Sequence, residues 1–140
     1  MSTRVQWLGH ACLRIDSDGQ QIVIDPFLTG NPVAAAKAGD IKTDFILVSH
    51  GHGDHLGDTV AIAQRTGATV VCNYEMSEWL QKQGVKKVHG QQHGGGHGFP
   101  FGRASRKEAK SLKRGPAGLR LRPLASSLPG PQPFRVKPTW

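Results

Sequence analysis

The chain has little cysteine, few aromatic residues and almost no acid in its last forty positions. Only 2 cysteines occur among 140 residues. Cys12 and Cys72 stand apart in apolar, strand-like surroundings, with no spacing that would make a zinc ribbon or a disulfide framework. Both read as buried packing residues, since free cysteine behaves as a small hydrophobe. No run approaches the ~20 apolar residues that cross a bilayer. The N-terminus enters an alternating pattern directly, without the apolar stretch of a signal peptide. The expectation is a cytoplasmic protein with no membrane partner. Glu108 is the sole acid among residues 101–140 against 10 Lys and Arg, whereas residues 1–100 hold 8 basic and 9 acidic residues. The formal charge of +8 therefore belongs to the C-terminal stretch. That stretch lacks aromatic interleaving apart from Phe134 and Trp140, so it reads as a solvated charge run and a nucleic-acid partner is not expected. All 7 histidines lie in the near-neutral part, and 6 of the 9 prolines follow residue 101. Two compositions meet in one chain.

What is present fits one domain with one modest core. Arg4–Leu8 and Cys12–Asp16 alternate with the period of half-buried strands. Asp16-Ser17-Asp18-Gly19 is a hairpin turn leading to a strand over Gln21–Asp25. Pro26–Asp44, rich in Gly, Ala and Pro, reads as a long loop, and long loops in small domains tend to be functional. Phe45–Val48 is a continuous apolar run, the pattern of a central strand covered on both faces. Helices are expected over Asp58–Arg65, closed by Gly67, and over Glu75–Gln83, closed by Gly84, with strands at Thr69–Cys72 and Val85–Val88. Strands alternating with helices give a layered α/β architecture whose ligands sit beyond the carboxyl ends of the strands. From Phe101 onward the periodicity is lost and Pro116, Pro123, Pro129, Pro131 and Pro133 break the chain into short pieces. Residues 103–140 read as a basic, disordered tail behind a domain spanning 1–102.

The strongest chemical signal is Ser49-His50-Gly51-His52-Gly53-Asp54-His55, four ligand-type side chains within six residues directly after a hydrophobic strand. Alternate loop residues point the same way, so His50 and His52 can take one metal while Asp54 and His55 turn toward a second. Imidazole and carboxylate donors suit Zn²⁺ and also Mn²⁺ or Fe²⁺. Two ions ~3.5–4 Å apart can activate a shared water and polarise the bond under attack, which is the chemistry of hydrolysis. Asp54 has a further candidate duty as the carboxylate that orients that water and takes its proton. The bland alternative is a polar loop with Asp54 capping the following helix. His89, His93 and His97 recur every four residues, but the glycines among them argue against a helix, and they read as solvated loop histidines.

Trp7-Leu8-Gly9-His10-Ala11, Ile24-Asp25-Pro26-Phe27-Leu28-Thr29-Gly30-Asn31-Pro32 and Val48-Ser49-His50-Gly51-His52-Gly53-Asp54-His55 together resemble a branch of the metallo-β-lactamase superfamily. This branch comprises small bacterial and archaeal metal-dependent hydrolases related to ascorbate-phosphate lactonases. The resemblance runs from about Val5 to Gly102. It implies the N-terminal half of an αββα sandwich, with His50 and His52 on one metal and Asp54 and His55 on the other. His10 and Asp25 also fall on motif positions near the metal edge. Asp25 could bond the free nitrogen of a ligand histidine or merely end its strand, and His10 could contact substrate or serve as a structural histidine. The implied activity is hydrolysis of a small ester, lactone or phosphorylated compound by a metal-activated water, with two divalent ions, zinc foremost, as cofactors.

Beyond Gly102 the resemblance stops. The family's later ligands are two histidines and an acidic bridge, and residues 103–140 contain no histidine and no aspartate. A change of reading frame near Gly102 and a genuine basic tail on a shortened domain both fit. The first is favoured, because a half-sandwich leaves an apolar sheet face uncovered. The rival functional readings are a catalytically defective fragment of such a hydrolase and a nucleic-acid-binding protein acting through the tail. The sequence does not set the oligomeric state.

Overall fold

Alternation at period two produces three antiparallel strands, β1 (Thr3–Gly9), β2 (Cys12–Ser17) and β3 (Gln20–Ile24). The computed structural model describes residues 3–107 and 118–122. Asp18 (φ 47°) and Gly19 (φ 79°) join β2 to β3, both left-handed as a tight hairpin turn requires. A long excursion with one 3-10 turn at Ala38–Asp40 leads to β4 (Phe45–Leu47), which lies parallel to β3. A short helix α1 (Gly53–Leu56) and a longer α2 (Thr59–Thr66) connect it to β5 (Thr69–Cys72), and α3 (Tyr74–Lys82) connects β5 to β6 (Val88–Gly90). The six strands form one sheet in sequence order, antiparallel through β3 and parallel from β3 to β6. Three further strands, β7 (Gly96–Phe99), β8 (Gly102–Lys107) and β9 (Gly118–Arg122), make a separate antiparallel sheet. This is the α/β architecture the sequence implied.

The register sorts the apolar side chains between two layers. Val23, Ile46 and Val70 lie side by side and pack with Ile62, Ala63, Met76 and Leu80 on the helix side. Ile22, Leu47 and Val71 face the other way and meet Phe99 and Ala104 of the second sheet. Neighbours along β4 thus enter opposite cores, which explains its unbroken apolar run. Cys12 and Cys72 are both buried and free. The second sheet covers only part of its face. Val5 and Trp7 of β1, in register with Ile15 and Leu13, remain exposed.

Several elements differ from expectation. Val85 does not begin a strand. It is buried and its N–H bonds to Leu80 O at 3.0 Å while Gly84 N–H bonds to Gln81 O at 2.9 Å, a Schellman closure of α3 with left-handed Gly84. The strand starts at Val88 instead. Helix α1 was unforeseen, because a four-residue helix carries too few apolar positions to show a period. β8 runs across residue 102 and β9 lies within the stretch read as disordered. Apart from Ala104, β8 holds no apolar side chain, so its extended form comes from pairing with β7 and β9 rather than from a hydrophobic pattern. The remainder of the expected tail lies outside the described residues. No helix among the described residues is long and apolar enough to cross a membrane.

Candidate metal centre

The site is built on the carboxyl ends of β3 and β4. Asp25 follows β3 in a left-handed conformation (φ 44°) and is 4% exposed. Its Oδ1 accepts Ser49 N–H at 2.7 Å, and its Oδ2 accepts the Ser49 hydroxyl at 2.6 Å and lies 2.8 Å from His55 Nδ1. An ionised carboxylate only accepts, so His55 Nδ1 carries the proton and its Nε2 keeps a lone pair. The same logic reaches His50. The Ser49 hydroxyl spends its one hydrogen on Asp25, so His50 Nδ1, 2.9 Å from Ser49 Oγ, must be the donor. One buried carboxylate thereby orients two histidines through their Nδ1 atoms and leaves their Nε2 atoms facing the donor cluster.

His50 Nε2 and His52 Nδ1 share a hydrogen bond of 2.9 Å, which a bound cation would replace. Two Zn–N bonds of ~2.0 Å at a tetrahedral angle would place their nitrogens roughly 3.3 Å apart, so these rings are near a chelating arrangement. The rings of His50 and His55 are 4.1 Å apart, which joins this pair to the other donors. His10 arrives from the turn between β1 and β2, where Gly9 (φ 111°) and His10 (φ 52°) are both left-handed. Its Nε2 lies 3.1 Å from Asp54 Oδ2, and its ring meets Phe27 and His55 edge-on at 6.0 and 5.3 Å. His10, Asp54 and His55 each offer a ligand atom within 4.8 Å of the others. Nitrogen and oxygen donors in this mixture fit a divalent ion of the Zn²⁺, Mn²⁺ or Fe²⁺ type.

The electrostatics suit that use. Burial, then the neighbouring His55 and His52, lower the pKa of His50 and keep its imidazole neutral, against the smaller upward pull of Asp25 and Asp54. For Asp54, desolvation pushes the pKa up. A hydrogen bond from its own backbone N–H, with His55 and His10 nearby, more than offsets this and holds the carboxyl below its ordinary range. Both groups are in the form that binds metal.

All six residues singled out in the sequence, His10, Asp25, His50, His52, Asp54 and His55, meet here. Asp54 does not cap a helix. His52 occupies the N-cap position of α1 without a side-chain cap, and Asp54 reaches His10 instead. Sequence reasoning missed Ser49 as a linker, although a hydroxyl beside the first histidine was a usable signal. It also missed Asp58, whose Oδ2 accepts the Leu28 and Thr29 N–H groups at 3.0 and 2.8 Å and ties down the loop after Asp25. Arg106, read as part of a solvated run, is 8% exposed and donates from Nη2 to Ser49 O across the two sheets. No local signal announces it. The histidines at 89 and 97 are not loop residues. They lie on β6 and β7 with rings 4.5 Å apart, and His89 is half-buried against Phe99. His93, in the turn between them, is exposed as expected.

A strand end that delivers this histidine and carboxylate cluster to the edge of a layered α/β sheet defines a metallo-β-lactamase-fold protein. Residues 4–106 match the beta-lactamase superfamily domain, and the chain belongs to that family. A UPF0173 metal-dependent hydrolase of Heliobacterium modesticaldum is 50% identical over 99 residues, covering 71% of this chain and 41% of that protein. The chain therefore spans less than half the length of this relative. A metallo hydrolase from the archaeon Ignicoccus hospitalis superposes with a TM-score of 0.70 at 28% identity, covering 84% of this chain and 55% of that one. CmlA, a diiron β-hydroxylase from Streptomyces venezuelae, shares the fold with a TM-score of 0.65 at 21% identity, over 84% of this chain and 27% of its own.

Proposed function

We propose that the chain carries the metal centre of a hydrolase, with His50 and His52 serving one divalent ion and Asp54 and His55 a second, and that its substrate is a small ester, lactone or phosphorylated compound. The observation that carries this reading is the Asp25–Ser49 relay, which engages Nδ1 of both His50 and His55 and turns their Nε2 atoms toward one edge of the sheet. A bound ion would lower the pKa of a water toward neutrality and polarise the bond to be cleaved. The chain's own groups do the rest. Asp54, ionised and half exposed, orients the attacking water and receives its proton. Asp25 and Ser49 keep the imidazoles aimed. Zinc suits the donor set, with manganese and iron as alternatives, and the diiron enzyme that shares this fold keeps iron in contention.

The test is metal content by mass spectrometry, together with turnover of p-nitrophenyl esters, lactones and phosphomonoesters by the metal-loaded chain. With metal supplied in excess, equal metal content in wild type and His52→Ala refutes the assignment of His52 to a metal. Metal uptake without turnover of any of the three substrate classes refutes hydrolysis by this chain and leaves the metal centre standing.

A further inference from the structure

We propose that His10 is itself a metal ligand, forming with Asp54 and His55 a two-histidine, one-carboxylate site, an inference that rests on the metal-centre reading above. Those three residues are the group whose donor atoms all lie within 4.8 Å of one another among the described residues. The 3.1 Å between His10 Nε2 and Asp54 Oδ2 is close to the roughly 3.3 Å that two bonds of ~2.0–2.1 Å to one tetrahedral ion would give. His55 enters with its Nε2 free, because Nδ1 is engaged by Asp25. Two imidazoles and a carboxylate with the remaining positions open is a set used by iron, zinc and manganese.

The backbone and its neighbours fix where His10 stands. The turn from β1 to β2 places a non-glycine residue at φ 52° directly after Gly9 at φ 111°. Among non-glycine residues such a position favours Asn, Asp and His, so the turn accommodates the ring. The surroundings hold it in place. Trp7 Nε1 donates to His10 O at 2.8 Å, Phe27 meets the ring edge-on, and a Cβ on Gly9 would come within 2.7 Å of Val33 O. An ion pair between His10 and Asp54 is too weak a reason for this arrangement, because both side chains are well exposed, 43% and 50%, and exposed pairs contribute little. A metal bond is the interaction strong enough to justify the aim. In consequence the two halves of the centre differ. The ion on His10, Asp54 and His55 has three ligands from this chain and binds tightly, whereas the ion on His50 and His52 has two and binds weakly.

The experiment titrates Co²⁺ into the chelator-stripped 140-residue chain, following the ligand-field absorption and the heat of binding, in wild type, His10→Gly, His52→Ala and His55→Ala. Glycine adopts the left-handed conformation freely and the Trp7 bond is to the backbone carbonyl of residue 10, so this variant should keep the fold, and a wild-type unfolding midpoint in chelator confirms that its metal loss is not a folding defect. The expected result is a tight site weakened by more than about 100-fold in His10→Gly, beyond the range of a lost outer partner, with a changed cobalt spectrum. His55→Ala should behave likewise, and His52→Ala should keep the tight site and lose the weak one. Wild-type affinity and spectrum in His10→Gly, with His55→Ala impaired, removes His10 from the ligand set and leaves the metal-centre reading intact. No Co²⁺ uptake by wild type, or wild-type binding by His55→Ala, overturns both.

Discussion

Replacing Asp25 tests the physical account of the site most directly. Asp25→Ala removes the acceptor of three short hydrogen bonds, from Ser49 N–H, Ser49 Oγ and His55 Nδ1. Hydrogen bonds to a charged acceptor contribute about 1.5–3 kcal/mol each. Ser49 and His55 are only half-buried, so water recovers part of the loss and the three do not add fully. Alanine also tolerates the left-handed φ of 44° less well than aspartate. The expected loss is about 3–5 kcal/mol, a large share of the 5–15 kcal/mol typical of a domain. Asp25→Asn keeps the backbone tolerance and one acceptor oxygen but turns an NH₂ toward a donor, so roughly 2 kcal/mol is expected. Urea unfolding in the presence of chelator isolates the fold from the metal. With a slope near 1.5 kcal/mol/M, the alanine variant should shift the midpoint by roughly 2–3 M. The same variant should weaken metal binding about 10–100-fold, because the imidazoles lose their orientation. A loss below about 1 kcal/mol with unchanged metal affinity would refute the relay.

With metal in excess, His52→Ala should lose one ion outright while Asp25→Ala keeps both at reduced affinity, since one change removes a proposed ligand and the other an orienting group; mass-spectrometric metal counts on the two variants decide it. Gly57→Ala should cost about 3 kcal/mol or more, because Gly57 has φ 43° and a Cβ there would lie 2.5 Å from Pro26 O and 2.6 Å from Phe27 Cα; thermal or urea unfolding reads this. Desolvation pushes both thiols, Cys12 and Cys72, up to about 12, so neither should react with a thiol reagent at pH 8 until the chain unfolds. The unfolded chain sheds these protons near pH 9 and the folded chain holds them to about 12. Stability should therefore fall as pH rises from 9 toward 12, and a flat unfolding midpoint over that window would contradict the burial. Arg106→Met should leave the fold intact while loosening the 49–55 loop, seen as faster amide exchange at His50 and His52, since Arg106 Nη2 is the group that holds Ser49 O.

The layered α/β architecture and most of its strands and helices were legible in the sequence, as was the cluster of ligand-type side chains at 50–55. Each of these rests on local pattern. The apolar alternation of β1 to β3, the unbroken run of β4 and the His-x-His-x-Asp-His spacing are all read within a few residues, and period two or 3.6 assigns their faces. Asp25 and His10 were visible as motif positions, but their work was not. It took the folded chain to show that Asp25 engages Nδ1 of His55 and, through Ser49, that of His50, that His10 stands against Asp54, that Asp58 holds the Leu28–Thr29 backbone, and that Arg106 crosses between the sheets to Ser49. These contacts join residues 24 to 57 positions apart. No window of sequence contains both partners, and it is the packing of the two sheets and the parallel return of the chain from β3 to β4 that brings them within hydrogen-bond range.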